Sequence, residues 1–356
     1  MNALYGFKKQ INKKISLTKG WVEKNERYLS VAFFALGLVF DILTATRVDL
    51  FFDNLILVIY LFLAILGICV LYALQVRNYP LESKIYRFIP FLAQYSFGGL
   101  FSRFVVYYTK SASWTTSWIF LLILLVAFLG NERFRKHYKK VDFQINILYI
   151  ALFSFLVFFV PIVLKKMGVE IFLLSGLLSI FVIYILVSFM SRFIASITKE
   201  RKRKMARHIL GVFFVFNLLY FLNIIPPIPL SMKEIGLYDY VGKGAQGEYV
   251  FEKFDFPWYS MGNHFLKIEP NDSVYVYSSI FAPTDLNITV YNVWQKYNSV
   301  AREWEERGEV SYLIQGGRDE GYRGYSFVSG VDEGKWRVSV ETKEGLVIGR
   351  LYFDVK

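Results

Sequence analysis

The stretch Ile209-Leu-Gly-Val-Phe-Phe-Val-Phe-Asn-Leu-Leu-Tyr-Phe-Leu-Asn-Ile-Ile-Pro-Pro-Ile-Pro-Leu-Ser231 decides the fold. Up to Ile225 it is an apolar run of helical length. Pro226, Pro227 and Pro229 then forbid the helix from continuing and give a stiff exit. Before it the chain is a succession of similar runs, and after it come short β-rich segments broken by Gly, Pro, Asn and Asp. The earlier runs are Tyr28–Thr46, Leu55–Leu74, Phe88–Tyr108, Trp114–Gly130, Ile145–Leu164 and Ile171–Met190. With Ile209–Ile225 they make seven, each 17 to 21 residues long. At about 1.5 Å per residue this matches a hydrocarbon core of about 30 Å. A mean hydropathy of +0.37 with 55% hydrophobic residues agrees. The expected fold class is a membrane all-α bundle of seven transmembrane helices followed by an all-β, immunoglobulin-like sandwich.

Lys and Arg resist translocation, so their distribution over short loops sets orientation. Segments 1–27, 75–87, 131–144 and 191–208 hold 22 of them, whereas 47–54, 109–113 and 165–170 hold four, Arg47, Lys110, Lys165 and Lys166. The amino terminus is therefore expected in the cytoplasm and, after an odd number of crossings, everything beyond Pro226 outside it. The protein would be a multi-pass protein of the cytoplasmic (inner) membrane, with the lipid bilayer as partner.

The formal charge of +12 does not make this a nucleic-acid binder. Residues 231–356 carry 14 Lys and Arg against 19 Asp and Glu, a net of −5, so the whole excess sits on the membrane half. The run Lys199–Arg207 reads as a stop-transfer and headgroup anchor. Residues 1–27 combine Leu4, Phe7, Ile11, Ile15 and Val22 at helical spacing with Lys8, Lys9, Lys13 and Lys14, the pattern of a basic amphipathic helix lying on the inner face. No small-x-small site follows the first apolar run to mark it as a cleaved signal peptide. Cys69 is the single cysteine, so the exported domain must be stable without a disulfide within the chain.

The expected division is an interfacial segment 1–27, a transmembrane domain 28–226, a linker 227–247 and a β-sandwich 248–356. Strands are expected at 248–256, 273–281, 286–297, 309–315, 322–328, 335–342 and 346–355. Trp336, Val338 and Val340 share one face, as do Leu351, Phe353 and Val355, and Lys343-Glu-Gly345 supplies a hairpin turn.

Val274-Tyr-Val-Tyr-Ser-Ser-Ile-Phe-Ala-Pro283, Tyr291-Asn-Val-Trp-Gln-Lys-Tyr297, Gly316-Gly-Arg-Asp-Glu-Gly-Tyr-Arg-Gly-Tyr325 and Gly334-Lys-Trp-Arg-Val338 with Gly349, Arg350 and Phe353 together resemble the DUF2914 family, a domain of unknown function. Gln94-Tyr-Ser-Phe-Gly-Gly99, Lys110-Ser-Ala-Ser113, Asn131-Glu132 and Ile225-Pro-Pro-Ile-Pro-Leu230 are similar to pieces of the multi-span half of such members. The resemblance implies no activity. It does imply a His where this chain has Asn292, which argues against proton transfer or metal binding there.

In Gly316–Tyr325, Gly and Asp allow positive φ and close approach. Arg318 and Arg323 are candidates to grip a carboxylate or phosphate, with Tyr322, Tyr325 and Trp294 as stacking faces for a sugar or peptide. Set against this, the arginines can pair with Asp319, Glu320 or Glu333, and Trp294 and Trp336 can be core residues. No metal site is expected: the three histidines, His137, His208 and His264, are dispersed, and Glu303, Glu305, Glu306 and Glu309 lack a calcium-loop pattern. No nucleophile elbow, phosphate loop or zinc-protease motif occurs, so neither a catalytic residue nor a cofactor is assigned. Asp41 and Arg103 fall at matching depth in the first and third runs and are expected to form an intramembrane pair. The alternative is a polar transport site extended by Gln94, Asn217 or Asn223. The leading expectation is a non-enzymatic envelope protein whose sandwich binds a polymer, glycan or protein. The competing one is a membrane transporter or envelope-modifying enzyme with an accessory β domain.

Overall fold

The computed structural model describes residues 39–45, 47–77, 84–133, 141–193, 198–245, 248–254, 264–266 and 272–356. The chain divides into two units, Met1–Thr46 and Arg47–Lys356. The interfacial segment 1–27 and most of the first run lie outside the described residues. In the first unit, residues 39–44 are helical, Asp41 is buried, and the Thr44 hydroxyl donates to the Phe40 carbonyl at 2.8 Å.

The second unit begins with six helices: α1 (Phe51–Val76), α2 (Lys84–Ser111), α3 (Trp114–Arg133), α4 (Val141–Leu164), α5 (Val169–Phe193) and α6 (Lys199–Phe221). Among the described residues four, α1, α4, α5 and α6, are long and apolar enough to cross a membrane. Their exteriors carry exposed Phe62, Phe181, Tyr184, Phe214 and Leu218. Exposed apolar side chains of this size are a liability in water. Helix ends follow local chemistry. Thr198 caps α6 by accepting from the Arg201 N–H at 3.3 Å, and Asn223 (φ +56°) with Pro226 ends that helix. Close packing depends on small residues and rings: a Cβ at Gly176 of α5 would lie 2.6 Å from Phe213 and 2.9 Å from Phe153. Phe153 stacks on Phe216 at 4.6 Å, and Phe172 on Tyr220 at 3.9 Å.

Among the described residues ten strands follow: β1 (Ser231–Tyr238), β2 (Tyr240–Lys243), β3 (Tyr249–Glu252), β4 (His264–Leu266), β5 (Ser273–Phe281), β6 (Asn287–Asn298), β7 (Glu303–Gln315), β8 (Tyr322–Ser329), β9 (Gly334–Thr342) and β10 (Val347–Val355). A three-stranded sheet, β1-β5-β8, packs on a five-stranded one, β4-β10-β9-β6-β7, while β2 and β3 pair as a hairpin. The core between the sheets holds Leu237, Val274, Val276, Trp294, Trp336, Val338 and Phe353 at one end, and Ile280, Leu286, Val290, Ile314, Val340 and Ile348 at the other. This is a β-sandwich. The turn after β9 closes with Gly345 at φ +77° donating to Thr342 at 2.9 Å.

Two boundaries differ from expectation, and β4, pairing in parallel with β10, lies where no strand was expected. Residues 231–243, expected as linker, form β1 and β2, because β1's inward apolar residues, Met232, Ile235 and Leu237, are few and a bulge after Met232 breaks their alternation. β7 starts at Glu303 rather than 309. Its glutamates sit along a sheet edge, where charge is tolerated and discourages further pairing.

The sandwich is seated on one end of the helices. Arg47 holds Asp49 through two hydrogen bonds of 2.9 and 2.7 Å and also pairs with Asp319. Asp49 accepts from the N–H and the hydroxyl of Thr284, and Lys165 pairs with Asp285 at 2.6 Å. The end of α2 meets β1. The β9–β10 turn borders a crevice lined also by Pro161, Phe172 and Ile225. At the other end of the helices, Arg201 pairs with Asp142 at 2.8 Å.

Candidate functional site: an aromatic face on the three-stranded sheet

Side chains alternate along β5: Val274 and Val276 enter the core, so Tyr275 and Tyr277 face outward. Register extends the outward row. Tyr238 of β1 and Phe327 of β8 flank Tyr275, while Gly236 and Tyr325 flank Tyr277. The β2–β3 hairpin adds Tyr240, Tyr249 and Phe251 to the same layer. The rings brace one another: Tyr275 stacks on Phe327 at 5.1 Å, and Phe251 meets Tyr277 edge-on at 4.9 Å. Phe327 is 50% exposed and Tyr240 44%. Burial pushes the Tyr238, Tyr249, Tyr275 and Tyr277 hydroxyls up, Arg323 partly opposing this at Tyr249 and Tyr277. They therefore remain protonated near neutral pH and can both donate and accept hydrogen bonds. Arg323 is exposed two residues from Tyr325 on the same face, and the Tyr249 hydroxyl donates to its carbonyl at 2.9 Å.

The residues singled out in the sequence are divided by this geometry. Arg323 and Tyr325 belong to the aromatic face. Tyr322, one step along β8, turns inward and stacks on Tyr312 at 6.3 Å, with Arg318 above its ring at 5.1 Å. The Gly316–Gly321 loop folds against residues 282–286: Gly316 donates to the Leu286 carbonyl at 2.9 Å and Gly317 to Ala282 at 3.1 Å. Trp294 is 0% exposed. Its indole N–H donates to the Ser326 hydroxyl at 3.1 Å, and Asn292 donates to the same oxygen at 3.0 Å, so the indole is enclosed in the core and offers no surface to a ligand. The residues missed, Tyr238, Tyr240, Tyr249, Tyr275, Tyr277 and Phe327, had a legible signal in the Val-Tyr-Val-Tyr alternation at 274–277. Their convergence from four further strands had none.

In the helices, Arg103 donates to Asp53 at 2.9 Å and lies 3.5 Å from the Tyr107 hydroxyl. Both charged side chains are buried. The sequence pattern places Asp53 in the loop 47–54, but α1 begins at Phe51 and carries it in its first turn. Among the described residues no group of three or more His, Cys, Asp or Glu side chains is arranged to hold a metal.

The sandwich is similar to an immunoglobulin-like protein from Pseudomonas aeruginosa, at 8% identity over 35% of this chain and 97% of that one, with a TM-score of 0.21. A β-glucosidase from Listeria innocua in complex with gluconolactone matches at 13% identity and a TM-score of 0.19, over 34% of this chain and 16% of the glucosidase. No curated protein matches the chain. Residues 287–355, from β6 to β10, match the model described as "Protein of unknown function (DUF2914)". The carboxyl-terminal region of this chain therefore carries a match to the DUF2914 family over β6 to β10.

Proposed function

We propose that this is a multi-pass protein of the cytoplasmic membrane that holds an immunoglobulin-like sandwich outside the cytoplasm, where its aromatic face binds a saccharide-bearing polymer of the envelope. The carrying observation is the aromatic layer itself. Eight rings, Tyr238, Tyr240, Tyr249, Phe251, Tyr275, Tyr277, Tyr325 and Phe327, form one braced layer on the outer side of the sheet, in which Phe327, Tyr240 and Phe251 are exposed while Tyr238 and Tyr277 are buried against the β2–β3 hairpin. A rigid aromatic surface with hydroxyl groups stacks on the apolar face of a sugar and hydrogen-bonds its edges at little cost in side-chain entropy. The orientation is supported by the loops poor in Lys and Arg: 47–50 and 165–168 meet the sandwich through Asp49 and Lys165, and the end of α2 lies beside β1. Nucleic acid is not a partner in this reading, since the domain is acidic, and the lipid bilayer takes the exposed apolar helix surfaces.

The test is titration of the full chain in detergent with soluble oligosaccharides prepared from envelope polymers. Tyr275→Ala combined with Phe327→Ala weakens binding by about tenfold or more, which is about 1.4 kcal/mol. Equal affinity in the variant, or no binding by either form, rejects the aromatic face as the site.

A further inference from the structure

The outward face of the five-stranded sheet carries a second constellation. Arg337 on β9 and Arg350 on β10 point away from the core, between inward Trp336, Val338 and Phe353. Arg350 lies opposite Ser339, two residues along from Arg337. The two arginines are thus diagonal neighbours, at about 7–8 Å between backbones. Arg337 donates to the Gln295 side-chain carbonyl at 2.6 Å, and its guanidinium lies 4.4 Å above the Trp304 ring. Arg350 donates to the Ser339 hydroxyl at 2.6 Å. Tyr352 meets Trp304 edge-on at 5.9 Å.

Neither guanidinium has a carboxylate within 4.0 Å among the described residues. The neighbouring acid on this face is Glu341; burial raises its pKa, with the charges of Arg350 and Arg337 opposing. Two half-buried forks are therefore held in position by neutral partners, which orient them without neutralising them, and an aromatic platform adjoins them. Forks of this kind take two oxygens of one oxyanion, and the platform suits a ring attached to it.

We propose that this face binds an acidic saccharide, with its carboxylate or phosphate taken by Arg337 and Arg350 and its ring lying against Trp304 and Tyr352. The site is on the opposite face of the sandwich from the tyrosine layer and falls wholly within the DUF2914 region. Glu341 competes with the ligand for the same cations.

The experiment titrates the full chain in detergent with glucuronate, glucose 1-phosphate and glucose. At least one acidic sugar binds about tenfold or more tighter than glucose, and the tighter of the two names the oxyanion. Arg350→Gln, whose partner is a hydroxyl, removes that preference, whereas Glu341→Gln strengthens binding. The latter gain would not arise from a purely structural role. In a Tyr275→Ala, Phe327→Ala background the preference for the acidic sugar over glucose persists, which separates this site from the aromatic face. Glucose binding as tightly as both acidic sugars, or an unaltered affinity in folded Arg350→Gln, overturns the proposal.

Discussion

Asp49 accepts two hydrogen bonds from Thr284, 235 residues further along the chain, at 3.1 Å from its N–H and 3.2 Å from its hydroxyl. Arg47 holds the same carboxylate from the other side and reaches Asp319 of the β8 approach. A four-residue connection before α1 thereby fastens two loops of the sandwich, which fixes the domain against the helices rather than leaving it on a tether.

That fastening is sensitive to acid. Burial pushes the Asp49 carboxyl up, but hydrogen bonds from Arg47 and the Thr284 backbone, with the Arg47 charge, outweigh it and hold the group below the usual carboxylate range. Its contribution is present above an unfolded value of about 3.9 and is lost as pH falls through the lower folded value. Hydrogen exchange at residues 283–285 and 317–321 rises below about pH 4. Asp49→Asn produces the same exposure at neutral pH, with a loss of about 1–3 kcal/mol.

Arg103→Leu leaves Asp53 buried without its cation, and removal of one member of a buried pair costs about 3–5 kcal/mol. Thermal unfolding in detergent and the level of membrane-inserted protein both fall. Normal levels and stability with loss of a solute flux would instead identify a transport site.

Ser326→Ala deprives the Trp294 indole N–H and the Asn292 amide of their shared acceptor. The expected loss is about 1–3 kcal/mol, read as a lower melting temperature of the sandwich. Trp294→Ala costs more, about 3–5 kcal/mol, because a large cavity is added.

The sequence was most informative where periodicity is long. The apolar runs at 55–74, 145–164 and 171–190 lie inside α1, α4 and α5, and the Val-Tyr-Val-Tyr alternation lies inside β5. It was weakest where few residues carry the pattern. β1 has three inward apolar residues whose alternation a bulge interrupts, and β7 conceals a strand beneath its glutamates. Arg103 was legible as a costly cation within an apolar run, but Asp53 was not legible as a partner, because a carboxylate near the start of a helix reads equally well as a loop residue. Arg318, Tyr322, Arg323 and Tyr325 are adjacent in sequence, yet strand alternation sends Tyr322 inward and Arg323 and Tyr325 into different parts of one face. Contacts such as Asp49 with Thr284 depend on how distant segments converge, which no local pattern encodes.

The central claim is that the sandwich is displayed outside the cytoplasm, and one labelling measurement tests it most directly. Cys69 is the single cysteine, and Val300, in the β6–β7 turn, is 93% exposed. In a Cys69→Ser, Val300→Cys variant, a membrane-impermeant maleimide labels the protein in intact cells to the same extent as after permeabilisation. Labelling only after permeabilisation contradicts the account.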